Sequence, residues 1–176
     1  MAGVASSRGN PDLGDVVRSV LVLGVIVLAL YGLGQFFTST PDEPTRSVEW
    51  KPAVESARRA ADYPVLAPAA LPEGWRATSA RYVPKTERWT LGLLDPDEEY
   101  LGLEQSRSSV KTVLERIASG SEPAGSASVL SRVWSVHAGP GDRITYASRV
   151  DGVTTVVTGT VEQPELERYI GSLTEH

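Results

Sequence analysis

The sequence predicts an α+β domain held behind one N-terminal transmembrane helix. Three observations predict it. An uncharged, apolar run of 19 residues, Ser19–Phe37, lies near the N-terminus. Beyond it, short segments alternate apolar and polar residues with period two and close on Pro, Gly and Asp turns, the pattern of half-buried antiparallel strands. Between them lie stretches with an apolar stripe every three to four residues, the pattern of amphipathic helices. The expected architecture is an antiparallel sheet of about six strands, one face of which is covered by about three helices.

Residues 1–18 read as a cytoplasmic tail, polar and small over Met1–Asn10. In residues 19–37, twelve Val, Leu, Ile and Phe residues favour insertion by about 4–7 kcal/mol, and no Asp, Lys or Arg opposes them. The competing reading is a cleaved secretory signal with Val20–Leu30 as its core. Against it, Tyr31–Phe37 prolong the run to spanning length, and no A-x-A-like site follows. Arg8 and Arg18 precede the span, whereas Pro41-Asp42-Glu43-Pro44 follows it. That asymmetry places the N-terminus in the cytoplasm and the C-terminal domain outside the membrane. The glycines of the span form no GxxxG pair, so helix-driven dimerisation is not indicated.

Residues 38–48 form a Pro- and Ser/Thr-rich linker whose Thr38–Ser47 reaches at most ~35 Å. A domain of the following size, residues 49–174, has a radius of gyration near ~14 Å, so it must work close to its own membrane. Its expected partners are therefore the bilayer, through residues 19–37, and a protein or lipid at the outer surface. The net charge of −5, with no basic stripe, argues against nucleic acid. The absence of cysteine removes disulfides, thiol catalysis and Cys-based zinc sites together.

Within the domain, Trp50–Asp62 reads as a helix, with Pro52 in its first turn and Val54, Ala57 and Ala61 on one stripe. Tyr63–Trp75, with three prolines and a Glu-Gly turn, reads as ordered but irregular. Strands are expected at Arg76–Val83, Arg88–Leu94 and Tyr100–Ser106, the last two joined by the turn residues Asp95–Glu99. Ser108 is the expected cap of a helix running to about Ala118. Ser119–Ser128 reads as a low-complexity, mobile loop. Further strands are expected at Val129–Ala138, Arg143–Val150 and Val153–Thr160, with Asp151-Gly152 as a hairpin turn. Gln163-Pro164-Glu165 opens a last helix facing inward with Leu166, Tyr169, Ile170 and Leu173.

Several of these stretches carry a resemblance. Pro64–Pro68, Leu71-Pro72-Glu73-Gly74-Trp75-Arg76, Trp89-Thr90-Leu91-Gly92, Tyr100–Ser106 and Thr155–Thr160 resemble, in order, the domain of unknown function 4245 family. The resemblance covers roughly residues 48–173, with Leu93 standing where an aromatic would be expected. It implies a single-pass anchored protein of actinobacterial type with an exported domain. The family carries no assigned activity, so no residue role follows from it. The Leu-Pro-Glu-Gly-Trp phrase is also similar to the entry of the first strand in other exported bacterial sensor and lipoprotein domains, which implies a sheet that binds lipid or protein.

Chemistry-bearing residues are sparse. His137 and His176 are the only histidines, too few for a metal site or a supported triad, so neither metal nor cofactor is expected. Asp95, Asp97, Glu98 and Glu99 crowd together but lack the ligand spacing of a calcium loop, and read as a solvated hairpin tip. Gln105 shares a strand face with Leu101 and Leu103, and a buried amide needs partners. It reads either as part of a structural network with Tyr63–Trp75 or as the polar anchor of a pocket lined by Trp75, Trp89 and Trp134. Glu104 points to the opposite face, and with Asp95 or Asp97 it would be the candidate for carboxylate hydrolysis. The expected function is a binding or accessory module near the membrane, the alternatives being an envelope hydrolase or a purely structural membrane protein.

Overall fold

The computed structural model describes residues 47–175. The expected cytoplasmic tail (1–18), transmembrane helix (19–37) and all but the last two residues of the linker (38–48) lie outside the described residues. Among the described residues, no helix is long and apolar enough to cross a membrane.

The domain is α+β. Helix α1 (Trp50–Ala60) is followed by a short strand β1 (Ala67–Pro68), then by β2 (Arg76–Val83), β3 (Arg88–Leu94) and β4 (Tyr100–Ser106). Helix α2 (Val110–Ile117) leads to β5 (Glu122–Val129), β6 (Arg132–Ala138), β7 (Ile144–Val150) and β8 (Val153–Gly159). Helix α3 (Gln163–Gly171) and β9 (Leu173–Thr174) complete it. The main sheet has seven strands in the order β2-β3-β4-β8-β7-β6-β5, every neighbour antiparallel. A second, two-stranded sheet pairs β1 with β9.

Sequence and structure agree on β2, β3 and β4 to the residue, because their alternation is bounded by strong turn residues. Three expectations are corrected. Ser119–Ser128 is not a loop: most of it is β5, the seventh strand, at the sheet edge. Its small residues carry little strand propensity, and pairing with β6 supplies what they lack. The turn that follows gave no signal either, since Leu130 and Ser131, not Asn-Gly, adopt φ of +51° and +61°. Left-handed backbone at such residues costs of order 1 kcal/mol each. Asp151-Gly152 makes the same kind of turn with residues suited to it.

The second correction is at the cap of α2. Ser109, not Ser108, accepts the Thr112 N–H at 3.2 Å.

The third concerns the layers: helices cover both faces of the sheet. On the first face, α1 (Val54, Ala57), Tyr63, Val65 and α3 (Leu166, Tyr169, Ile170) pack on Trp89, Leu91, Leu93, Leu101, Leu103, Tyr146 and Val157. On the second, Val113 of α2 packs on Ala147 and Val156. Strand β8 is therefore buried along its whole length, which explains its run of Val and Thr without alternation. Each fully buried Leu contributes about 1.5–3 kcal/mol.

Candidate functional site

Two adjacent residues of β4 divide the chemistry between the faces. Gln105 opens on the first face, 2% exposed. Its Oε1 accepts the Leu66 N–H at 2.7 Å, and its Nε2 donates to Pro64 O at 3.3 Å and to Thr155 Oγ1 at 3.4 Å. Trp89, opposite Gln105 on β3, donates from Nε1 to Leu66 O at 3.0 Å. Tyr63 donates to Glu87 O at 2.9 Å, and Arg107 pairs with Asp62 at 3.0 Å. The irregular segment after α1 is thus clamped by side chains of the sheet, which gives its unpaired backbone groups partners. Burial pushes the Tyr63 hydroxyl far above its ordinary range, with the Tyr82 phenol next in effect.

This clamp forms the back of a concavity. A cavity of about 340 Å³ is lined by Leu66, Val129, Leu130, Trp134, Ile170 and Leu173, with Arg132 at its side. A smaller hollow of about 60 Å³ touches Gln105 and shares Leu66 and Arg132 with the cavity. The Arg132 guanidinium lies 5.8 Å from the centre of the Trp134 ring. Trp134 is buried, and its Nε1 finds no acceptor among the described residues. A sealed donor left without a partner costs about 1–3 kcal/mol.

The five residues named from the sequence do not converge on one site. Trp134 lines the cavity, Gln105 lines the small hollow, and Trp89 is wholly inside the core. Trp75 is half-buried against the edge of the same core. Glu104 is on the second face, 5% exposed, paired through Oε1 with Arg116 of α2. It lies opposite Thr90, five residues along β3 from Asp95. At ~3.3 Å per residue the two carboxylates are on the order of 16 Å apart, well beyond the ~5–9.5 Å that paired-carboxylate hydrolysis uses. Asp95 is itself occupied: its Oδ1 accepts the N–H groups of Asp97 and Glu99, both at 2.8 Å. Among the described residues no group of three or more His, Cys, Asp and Glu side chains could hold a metal ion.

Glu104 lies in a second hollow, of about 290 Å³, with Ser79, Thr90, Tyr100, Arg143 and Thr158. Gly92 and Gly102 are paired across β3 and β4 there. A Cβ on Gly102 would strike the Tyr100 ring, so the ring is seated on bare backbone. The Tyr100 phenol is held above its ordinary range chiefly by burial; Arg143 opposes the rise and Glu104 adds to it. Sequence reasoning passed over Arg143 and Leu130, since a lone Arg after a turn and a Leu in an unmarked turn carry no pattern. A shallow groove of about 590 Å³ also runs between α2 and the β5–β6 edge, past Val110, Leu114, Ala118 and His137. His137 there shares a 3.2 Å hydrogen bond with Ser135 Oγ.

The model of the family described as "Protein of unknown function (DUF4245)" matches residues 8–173. The chain belongs to the DUF4245 family. That membership agrees with the resemblance carried by Leu71–Arg76 and Tyr100–Ser106, and the clamp residues Trp89 and Gln105 lie within the DUF4245 match. No curated protein matches the chain. Among solved structures, MucB in complex with MucA(peri) is similar at 19% identity and a TM-score of 0.34, over 62% of this chain and 36% of that one. The DUF4245 chain thus spans little more than a third of that protein, a likeness too shallow to bear on function.

Proposed function

We propose that this DUF4245 chain is a single-pass membrane protein whose domain, residues 49–174, acts outside the membrane as a binding or accessory module. Support for the anchor is the uncharged run Ser19–Phe37, flanked by Arg8 and Arg18 before it and Asp42 and Glu43 after it. The observation that carries the binding role is the cavity in front of Trp134. It is of ligand size, lined by apolar and polar groups in nearly equal measure, walled by the clamped Leu66 and bordered by the Trp134 ring with the Arg132 guanidinium beside it. Exposed Leu130, at the strained tip of the β5–β6 hairpin, forms its outer lip. Strain retained in such a turn fits a site shaped for recognition rather than for stability alone. The occupant is a protein segment or a lipid at the outer membrane surface.

Two measurements test this. Protease added to intact cells should digest the domain; protection until the cells are lysed would put it in the wrong compartment. A photo-crosslinker placed at Leu130 of the full chain in cells should trap a discrete adduct. The same group at Glu55, on the exposed side of α1, should trap none. Equal trapping at both positions, or none at Leu130, would remove the cavity from the proposal.

A further inference from the structure

The hollow on the second face is a different kind of site, independent of the Trp134 cavity. Its walls mix apolar surface from Leu91, Leu103 and Ile117 with polar groups of both charges. Glu104 is almost wholly buried, yet only its Oε1 is paired, with Arg116. Oε2 takes no hydrogen bond from the described residues and is not sealed from solvent. Arg143 makes no ion pair among the described residues, and its Nε has no acceptor. The Tyr100 hydroxyl makes no hydrogen bond among them either, while its residue is 40% exposed. Ser79, Thr90 and Thr158 also line it, with the Thr90 hydroxyl bonded to Arg81 O and the Thr158 hydroxyl to Thr145.

The ligand chemistry follows from that set. An anion attracted by Arg143 would also face the free oxygen of Glu104. A cation attracted by Glu104 would face Arg116 and Arg143. A neutral group that both donates and accepts satisfies carboxylate, guanidinium and phenol together, and an alcohol does this at every oxygen. The exposed part of the Tyr100 ring offers an apolar surface beside these groups, suited to the C–H face of a sugar. The volume, about 290 Å³, equals the share of roughly ten water molecules in liquid, room for one ring rather than a long chain. We infer that this hollow, built by Tyr100, Glu104 and Arg143 over the Gly92–Gly102 pair, binds a neutral saccharide residue.

The test uses the full chain, ¹⁵N-labelled, in phospholipid nanodiscs, titrated with the methyl glycosides of glucose, galactose, mannose and N-acetylglucosamine. At least one should move the Gly92 and Gly102 amide resonances saturably, with a dissociation constant on the order of 1 mM. Arg143→Ala and Tyr100→Phe should each weaken that binding about fivefold or more, with the tryptophan indole resonances unmoved as the sign of an intact fold. Glucuronate and glucosamine should bind about fivefold more weakly than the neutral parent. No response to any glycoside at about 50 mM overturns the inference. Binding unchanged in both variants, or a charged sugar binding as well as the neutral one, overturns it too. A stronger response to N-acetylglycine methylamide than to any glycoside would make the hollow a peptide site, and also overturn it.

Discussion

Glu104 and Gln105 are neighbours on one strand, both polar, both almost wholly buried, and they are used in opposite ways. Gln105 makes three hydrogen bonds to parts of the chain 39 to 50 residues away, using both amide N–H donors and the carbonyl oxygen. Glu104 makes a single contact, to Arg116, 12 residues away, and keeps one oxygen free in a hollow. At Gln105 the polar group is spent on holding an irregular segment against the sheet. At Glu104 one oxygen is left unspent. Burial of a polar group therefore does not by itself mean that all its partners are met.

The comparison can be broken or sharpened by substitution. Gln105→Leu should give the largest effect, about 2–3 kcal/mol of lost stability, because it strands the buried Leu66 N–H. Thermal unfolding should show this as a drop of about 5–10 °C. Trp89→Phe keeps an aromatic ring in the core but removes the bond to Leu66 O and leaves a small gap, and should cost about 1–2 kcal/mol in urea unfolding. Combined with Gln105→Leu its cost should fall short of the sum, since both hold Leu66. Glu104→Gln should cost only about 1 kcal/mol, because Arg116 can turn to water. A loss equal to that of Gln105→Leu would make the second face as structural as the first.

The smallest expected effect is a pH dependence on the first face. Tyr146 donates to Glu167 Oε1 at 2.5 Å, and Gln163 donates to the same oxygen at 3.0 Å. The Tyr146 bond first, and the Gln163 bond after it, hold the Glu167 carboxyl below its ordinary value of 4.5. The folded state thus favours the charged form, and the stabilisation is present above 4.5 and lost as pH falls through the lowered value. Glu167→Gln should make stability fall less steeply below pH 4.5, with little change at pH 7. An unchanged acid limb would mean that this pair contributes nothing. At the alkaline end, burial and the bond to Glu167 push the Tyr146 phenol up to about 12. Its contribution is complete below the ordinary value of 10.0 and is lost as pH rises toward 12.

Much of the fold was legible where local signals were strong. Arg76–Val83, Arg88–Leu94 and Tyr100–Ser106 alternate cleanly between turn residues, and α1 and α3 carry stripes that burial honours at Val54, Ala57, Leu166 and Ile170. Strand β5 was not legible. A run of Pro, Ala, Gly and Ser has no preference of its own, and the Leu130-Ser131 turn uses residues that ordinarily avoid positive φ. Gln105 was legible as a buried amide in need of partners and the clamp on Tyr63–Ala67 as one of its two readings, but not the Trp134 cavity, whose walls come from three separate stretches of chain.

By itself the sequence determined the class of the domain, the extents of its best-patterned elements and its family, since all three rest on periodicity and residue order. Tertiary structure alone decided that α2 lies on the face opposite α1 and α3, that Trp89 is core while Trp134 walls a cavity, and that Glu104 keeps an oxygen free. The physical reason is that pattern reports what each residue prefers locally. Which partner meets that preference depends on contacts between residues distant in the chain, and a polar side chain becomes a site only where those contacts leave it unsatisfied.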